Sequence, residues 1–62
     1  GMPRKGAKAC HDGSGTCGRV VKVNPLRGTV ELRTDEGGMA EYPASELSRV
    51  RGGRDDGSQV SD

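Results

Sequence analysis

Apolar and polar positions fall into a regular pattern only in the middle of this chain, between about residues 17 and 51. Thr29–Thr34 (TVELRT) alternates cleanly. Val30 and Leu32 share one face, and Thr29, Glu31 and Arg33 share the other, the period of a half-buried strand. Arg19–Asn24 (RVVKVN) is rich in β-branched valine and predicts a second strand. Val20 and Val23 differ in parity, so both face inward only if this strand kinks or coils between them. Met39–Tyr42 predicts a third strand, short and edge-like because Pro43 ends it. Ala44–Leu47 suits a single helical or 3₁₀ turn, and Ser48–Arg51 returns as a last strand with Val50 inward.

The connections carry turn chemistry. Asn24-Pro25-Leu26-Arg27-Gly28 brackets a short segment with Pro and Gly, as a hairpin loop does. Asp35-Glu36-Gly37-Gly38 is a second turn whose glycines can take positive φ. The predicted fold is all-β: a tightly curved antiparallel sheet of about four or five short strands with one 3₁₀ turn, closed or nearly closed as a barrel. Its candidate core is Val20, Val21, Val23, Leu26, Val30, Leu32, Met39, Tyr42, Leu47 and Val50. That set is thin, and small units of this kind usually need a disulfide, a metal or a partner to complete them.

The flanks read differently. Residues 1–16 are polar and Gly-rich without period and predict a flexible basic arm, carrying Arg4, Lys5 and Lys8 and no acid before Asp12. Residues 52–62 (GGRDDGSQVSD) predict a disordered acidic tail. The ordered domain is therefore expected over 17–51. The whole chain has 62 residues, with 10 Lys and Arg against 9 Asp and Glu, a net charge of +1. That balance gives no global support to nucleic-acid binding, so a polyanion would have to meet a local patch. No apolar run approaches the ~18 residues of a membrane span, and no charged-then-apolar leader opens the sequence. A cytoplasmic, reducing setting is the expectation, with Cys10 and Cys17 as free thiols. A Cys10–Cys17 disulfide, which the intervening glycines allow, and a metal site using Cys10, His11 and Cys17 are the alternatives. No metal or other cofactor is expected.

Gly15-Thr16-Cys17-Gly18-Arg19-Val20-Val21-Lys22-Val23, followed by Asn24-Pro25-Leu26-Arg27-Gly28 and Thr29-Val30-Glu31-Leu32, has the form G-x-x-G-x-V-x-x-V, hairpin loop, second strand. This resembles the KOW motif of ribosomal large-subunit proteins and transcription elongation factors, over residues 15–32. The resemblance implies an SH3-like small β-barrel, with Gly38–Leu47 as the closing strand and 3₁₀ turn. It also implies RNA or a ribonucleoprotein as partner. Glu31, Asp35, Glu36, Glu41 and Glu46 set this chain apart from strongly basic RNA-binding members.

For RNA the candidate phosphate contacts are Arg19, Lys22, Arg27 and Arg33, with Lys5 and Lys8 wrapping from the arm. Tyr42, the one aromatic, is the candidate stacking platform or else a core residue. The other reading of the same bases is a solvated face opposite Glu31 and Glu41. The alternative function is a protein–protein adaptor of SH3-like type, which the acids favour. A third is a metal- or redox-responsive element using Cys10, His11 and Cys17. Gly13–Gly18 spells G-x-G-x-x-G but has no preceding strand and no following helix, so it is not a dinucleotide fingerprint. Catalysis is not expected, because a single His in an arm could not be held within reach of a nucleophile.

Overall fold

The computed structural model describes residues 2–50. Arg51 and the expected acidic tail, 52–62, lie outside the described residues. The chain forms five strands in one sheet: β1 (Lys8–His11), β2 (Cys17–Asn24), β3 (Thr29–Thr34), β4 (Met39–Pro43) and β5 (Leu47–Arg49). A 3₁₀ turn, Ala44–Glu46, joins β4 to β5. Every pairing is antiparallel, in the order β4-β3-β2-β1-β5, and the sheet does not close on itself. The all-β expectation therefore holds, as a curved open sheet with one 3₁₀ turn. Among the described residues no helix is long and apolar enough to cross a membrane.

The kink demanded by the parity of Val20 and Val23 is present. Val20 faces Leu32 and Lys22 faces Glu31, so Val21 is the extra residue of a bulge in β2. The bulge returns Val23 to the core side, opposite Val30, and keeps Lys22 outside. Gly18 has a different reason to be glycine. A Cβ there would fall onto the Arg33 carbonyl of β3, so the two backbones approach as only glycine allows. The β2–β3 connection closes with Gly28 N–H donating to the Asn24 carbonyl at 2.8 Å, and Gly28 takes φ +70°. Both predicted turns are thus in place, and Gly37 N–H donates to the Thr34 carbonyl in the second.

Ala9, Val20, Val30 and Leu32 are fully buried, and Ala7, Val23, Tyr42, Ala44 and Leu47 pack around them. Four expected core residues lie outside: Leu26 is fully exposed at the β2–β3 loop tip, Met39 and Val50 are about half exposed (50% and 47%), and Val21, the bulged residue, is half-buried away from the core cluster. Met39 lies opposite Arg33 on the outer face of the sheet, and Val50 follows the end of β5.

The expectation of a flexible arm over 1–16 is corrected. Residues 8–11 form β1, which lies between β2 and β5. Even the stretch before it is tied down: Gly6 N–H donates to the Val20 carbonyl and Val20 N–H to the Ala7 carbonyl. Ala7 N–H closes a turn on the Arg4 carbonyl, and Pro3 is buried. This segment escapes periodicity analysis because its core contribution is two alanines, whose burial follows from position in the sheet rather than from hydrophobic size. The free-thiol expectation is also corrected: Cys10 and Cys17 face each other across β1 and β2 and are joined as a disulfide.

Candidate functional site

Two arrangements of side chains stand out, one on the outer face of the sheet and one at the loop that joins β1 to β2. The first is a row of cations. Lys8 of β1 faces Arg19 of β2, and Arg19 faces Arg33 of β3. All three point away from the core, because their neighbours Ala9, Val20 and Leu32 point into it. Neighbouring strands lie ~4.8 Å apart, so the row packs three positive charges within about 10 Å of backbone. Lys8 binds Asp35 at 2.9 Å, and Arg19 Nη1 donates to the Gly6 carbonyl at 3.1 Å.

The remaining predicted contacts are spread around this row. Lys22 lies on the same face but opposite Glu31, which in turn faces Glu41. Glu41 accepts from Thr29 and Asn24, and is thereby drawn toward the far end of the β2–β3 hairpin. Arg27 is exposed in that hairpin's loop, at the opposite end of β2 from Arg19. Lys5 is exposed in the turn closed by Arg4 and Ala7. The fold thus gathers Lys8, Arg19 and Arg33, and leaves Lys5, Lys22 and Arg27 around them.

The second arrangement was not legible as a unit. His11 stacks flat on Tyr42, with ring centroids 3.8 Å apart and planes 10° from parallel. Its Nδ1 accepts from the Ser14 backbone N–H at 3.1 Å, so the neutral ring carries its proton on Nε2, which donates to Glu46 Oε1 at 2.8 Å. Ser14 Oγ lies 2.8 Å from the same Nδ1, and accepts from the Thr16 N–H at 3.2 Å. The Tyr42 hydroxyl lies 3.5 Å from Ser14 Oγ. Hydrogen bonds from Ser14 and then Thr16 hold the Tyr42 phenol below its ordinary value of 10.0.

A Ser, a His and a Glu in contact invite comparison with nucleophilic catalysis. Here, however, the nitrogen that would act as base already takes the Ser14 backbone N–H, and Ser14 Oγ is itself committed to the loop. The geometry ties the loop over residues 12–16 to β4 and to the 3₁₀ turn. Tyr42, predicted as a stacking platform or core residue, packs against the core with its ring face on His11. One of its ring faces is therefore taken.

Beside this cluster lies an open groove of about 460 Å³ between the β1–β2 loop and the β3–β4 turn, lined by Ser14, Thr16, Thr34, Asp35, Glu36 and Tyr42. Gly15, Cys17 and Ala40 complete the lining, so its surface mixes hydroxyl and carboxylate groups with apolar patches. Among the described residues no group of three His, Cys, Asp or Glu side chains converges as metal ligands. Cys10 and Cys17 are bonded to each other, and both ring nitrogens of His11 are engaged. No protein-family model, no curated protein and no solved structure matches this chain.

Proposed function

We propose that this chain is a noncatalytic binding module for RNA or a ribonucleoprotein, seated on the outer face of the sheet. The observation that carries this is the Lys8–Arg19–Arg33 row. Like charges directly opposite each other on neighbouring strands are destabilising. Asp35 already offsets Lys8, and a run of phosphates relieves the repulsion left at Arg19 and Arg33 with charge-assisted hydrogen bonds, releasing counterions as it does so. Lys22 and Lys5 extend the surface along the strand and over the N-terminal turn. Arg27 meets a longer strand at the hairpin tip. The KOW-like stretch over 15–32 supports the same reading, since it contains Arg19, Lys22 and Arg27. The strand order and the 3₁₀ turn before the last strand are consistent with an SH3-like arrangement.

The protein-adaptor reading has one specific observation behind it. The groove beside Tyr42 combines hydroxyls and apolar surface with Asp35 and Glu36 at its edge, chemistry that suits a cationic peptide. An amide NMR titration with mixed-sequence RNA at low and moderate salt separates the two. RNA binding on the row shifts the amides around Lys8, Arg19 and Arg33, and the shifts fade with salt. With about three phosphates met, affinity falls roughly twentyfold between ~50 and ~200 mM salt, since log K varies with log salt at about −0.7 per phosphate on a single strand. A well-dispersed spectrum with no shifts at low salt would overturn the RNA reading and turn attention to the groove. We place this module in the cytoplasm as part of the same reading, a setting where disulfides are rare and, when present, usually transient or redox-sensing.

A further inference from the structure

The disulfide and the cation row share one two-stranded ladder. Lys8 faces Arg19, Ala9 faces Gly18 and Cys10 faces Cys17. Alternation puts both cysteines on the outer face with Lys8 and Arg19, opposite Ala9 and Gly18. The bond therefore stands one same-face step, about 7 Å, from the first two cations of the row. Strand β1 is four residues long, and its one fully buried side chain is Ala9, so it has little apolar anchorage of its own. What fixes it level with β2 is the backbone ladder, the Gly6 and Ala7 bonds to Val20, the His11 contacts and the covalent bridge.

The site is also built for access. Both cysteines are half-buried rather than enclosed. Lys8 and Arg19 beside them attract an incoming anionic thiolate. Asp35, whose N–H is bound to the Cys17 carbonyl, is already tied to Lys8. The Cys17 sulfur lies 3.5 Å from the Gly15 carbonyl, an acceptor ready for an S–H once the bridge opens.

We propose that Cys10–Cys17 is a reversible thiol–disulfide site, reduced by small dithiols, that gates the cation row; the gating of RNA rests on the reading above. A thiolate of the dithiol attacks one cysteine sulfur, the S–S bond breaks, and the released cysteine takes a proton. The dithiol's second thiolate then attacks the mixed disulfide and releases the second cysteine, which also takes a proton. Two electrons pass to the protein, and the dithiol leaves as its own disulfide. Opening the bridge removes the closure of the loop over 10–17, so β1 detaches more often and Lys8 is no longer held beside Arg19.

The test uses the full chain, oxidised or reduced with dithiothreitol, with thiol counts of zero and two verified chemically. Amide exchange and binding to a labelled mixed-sequence RNA are measured at one salt concentration. Reduction is expected to speed exchange of the His11 amide, which donates to the Thr16 carbonyl at 2.7 Å, by roughly tenfold or more relative to the β3–β4 ladder. RNA affinity is expected to fall by about threefold or more. The Cys10→Ala/Cys17→Ala variant should match the reduced protein with and without dithiothreitol. Equal His11 exchange in the two states would overturn the proposal, and so would uniform acceleration of β1 and the β3–β4 ladder, which makes the bridge a staple for the whole fold. Selective His11 acceleration with no RNA bound in either state would remove the RNA reading while leaving the thiol–disulfide site in place.

Discussion

The β2–β3–β4 meander and the flank made of β1, β5 and the β1–β2 loop belong to one sheet but are held by different physics. The meander is held by continuous backbone ladders over strands of eight, six and five residues, and it supplies Val20, Val30 and Leu32 to the core. The flank has strands of four and three residues and supplies Ala9. In place of apolar mass it has a disulfide, a stacked His11–Tyr42 pair, hydrogen bonds that join His11 to Ser14 and to Glu46, and one from Ser48 to Asp12. A small sheet with too little core to anchor all its strands apolarly secures the last ones with covalent and polar clasps. The cation row crosses the boundary, since Arg19 and Arg33 stand on the meander and Lys8 on the flank.

That contrast can be broken first at the meander. Gly18→Ala drives a Cβ into the Arg33 backbone carbonyl, which a main chain in a ladder cannot easily yield. A loss of about 3 kcal/mol or more is expected, most of the stability of a domain this small. Loss of amide dispersion in the NMR spectrum checks it. Leu32→Ala removes the largest fully buried side chain and should cost about 3 kcal/mol, read from a urea midpoint. Both changes should weaken the whole fold rather than one edge.

The flank should respond at lower cost and more locally. Opening the Cys10–Cys17 bridge releases a loop of eight residues, which should make detachment of β1 easier by about 2–3 kcal/mol through chain entropy, read as faster His11 amide exchange relative to the β3–β4 ladder on reduction. His11→Ala removes the ring that stacks on Tyr42, holds Glu46 and accepts the Ser14 N–H. About 1–2 kcal/mol is expected, with chemical-shift changes confined to the loop, β4 and the 3₁₀ turn.

The smallest effect is spectroscopic. Tyr42 should ionise below 10.0, and Ser14→Ala should move its absorbance titration back up toward that value. Because the folded value is depressed, the linked stabilisation is present above the unfolded value and disappears as pH falls through the folded one. At neutral pH it contributes nothing.

The meander was readable from sequence because its information is local. TVELRT alternates, RVVKVN breaks alternation where the bulge lies, and both turns carry their Pro or Gly in place. The flank was not, because KACH offers a single small core residue and no period. Its meaning depends on partners far along the chain: Glu46 is 35 residues from His11, and Ser48 is 36 from Asp12. One local signal was available. Cys10 and Cys17 flank a Gly-containing stretch of hairpin-loop length, which allows a cross-strand bridge and thereby a strand on its N-terminal side. Of the six basic candidates, the pattern alone could group Arg19 with Arg33 by strand face. Placing Lys8 beside them required the register of β1.

The claim that matters most is that the Lys8–Arg19–Arg33 row is the RNA-binding surface. The most direct measurement compares RNA affinity of the wild type with Arg33→Glu and, as a control off the row, Arg27→Glu, each at two salt concentrations. The row account predicts that Arg33→Glu weakens binding at least tenfold and flattens the salt dependence. Arg27→Glu should change affinity by only a few fold. Equal affinities for wild type and Arg33→Glu in a folded protein would contradict it.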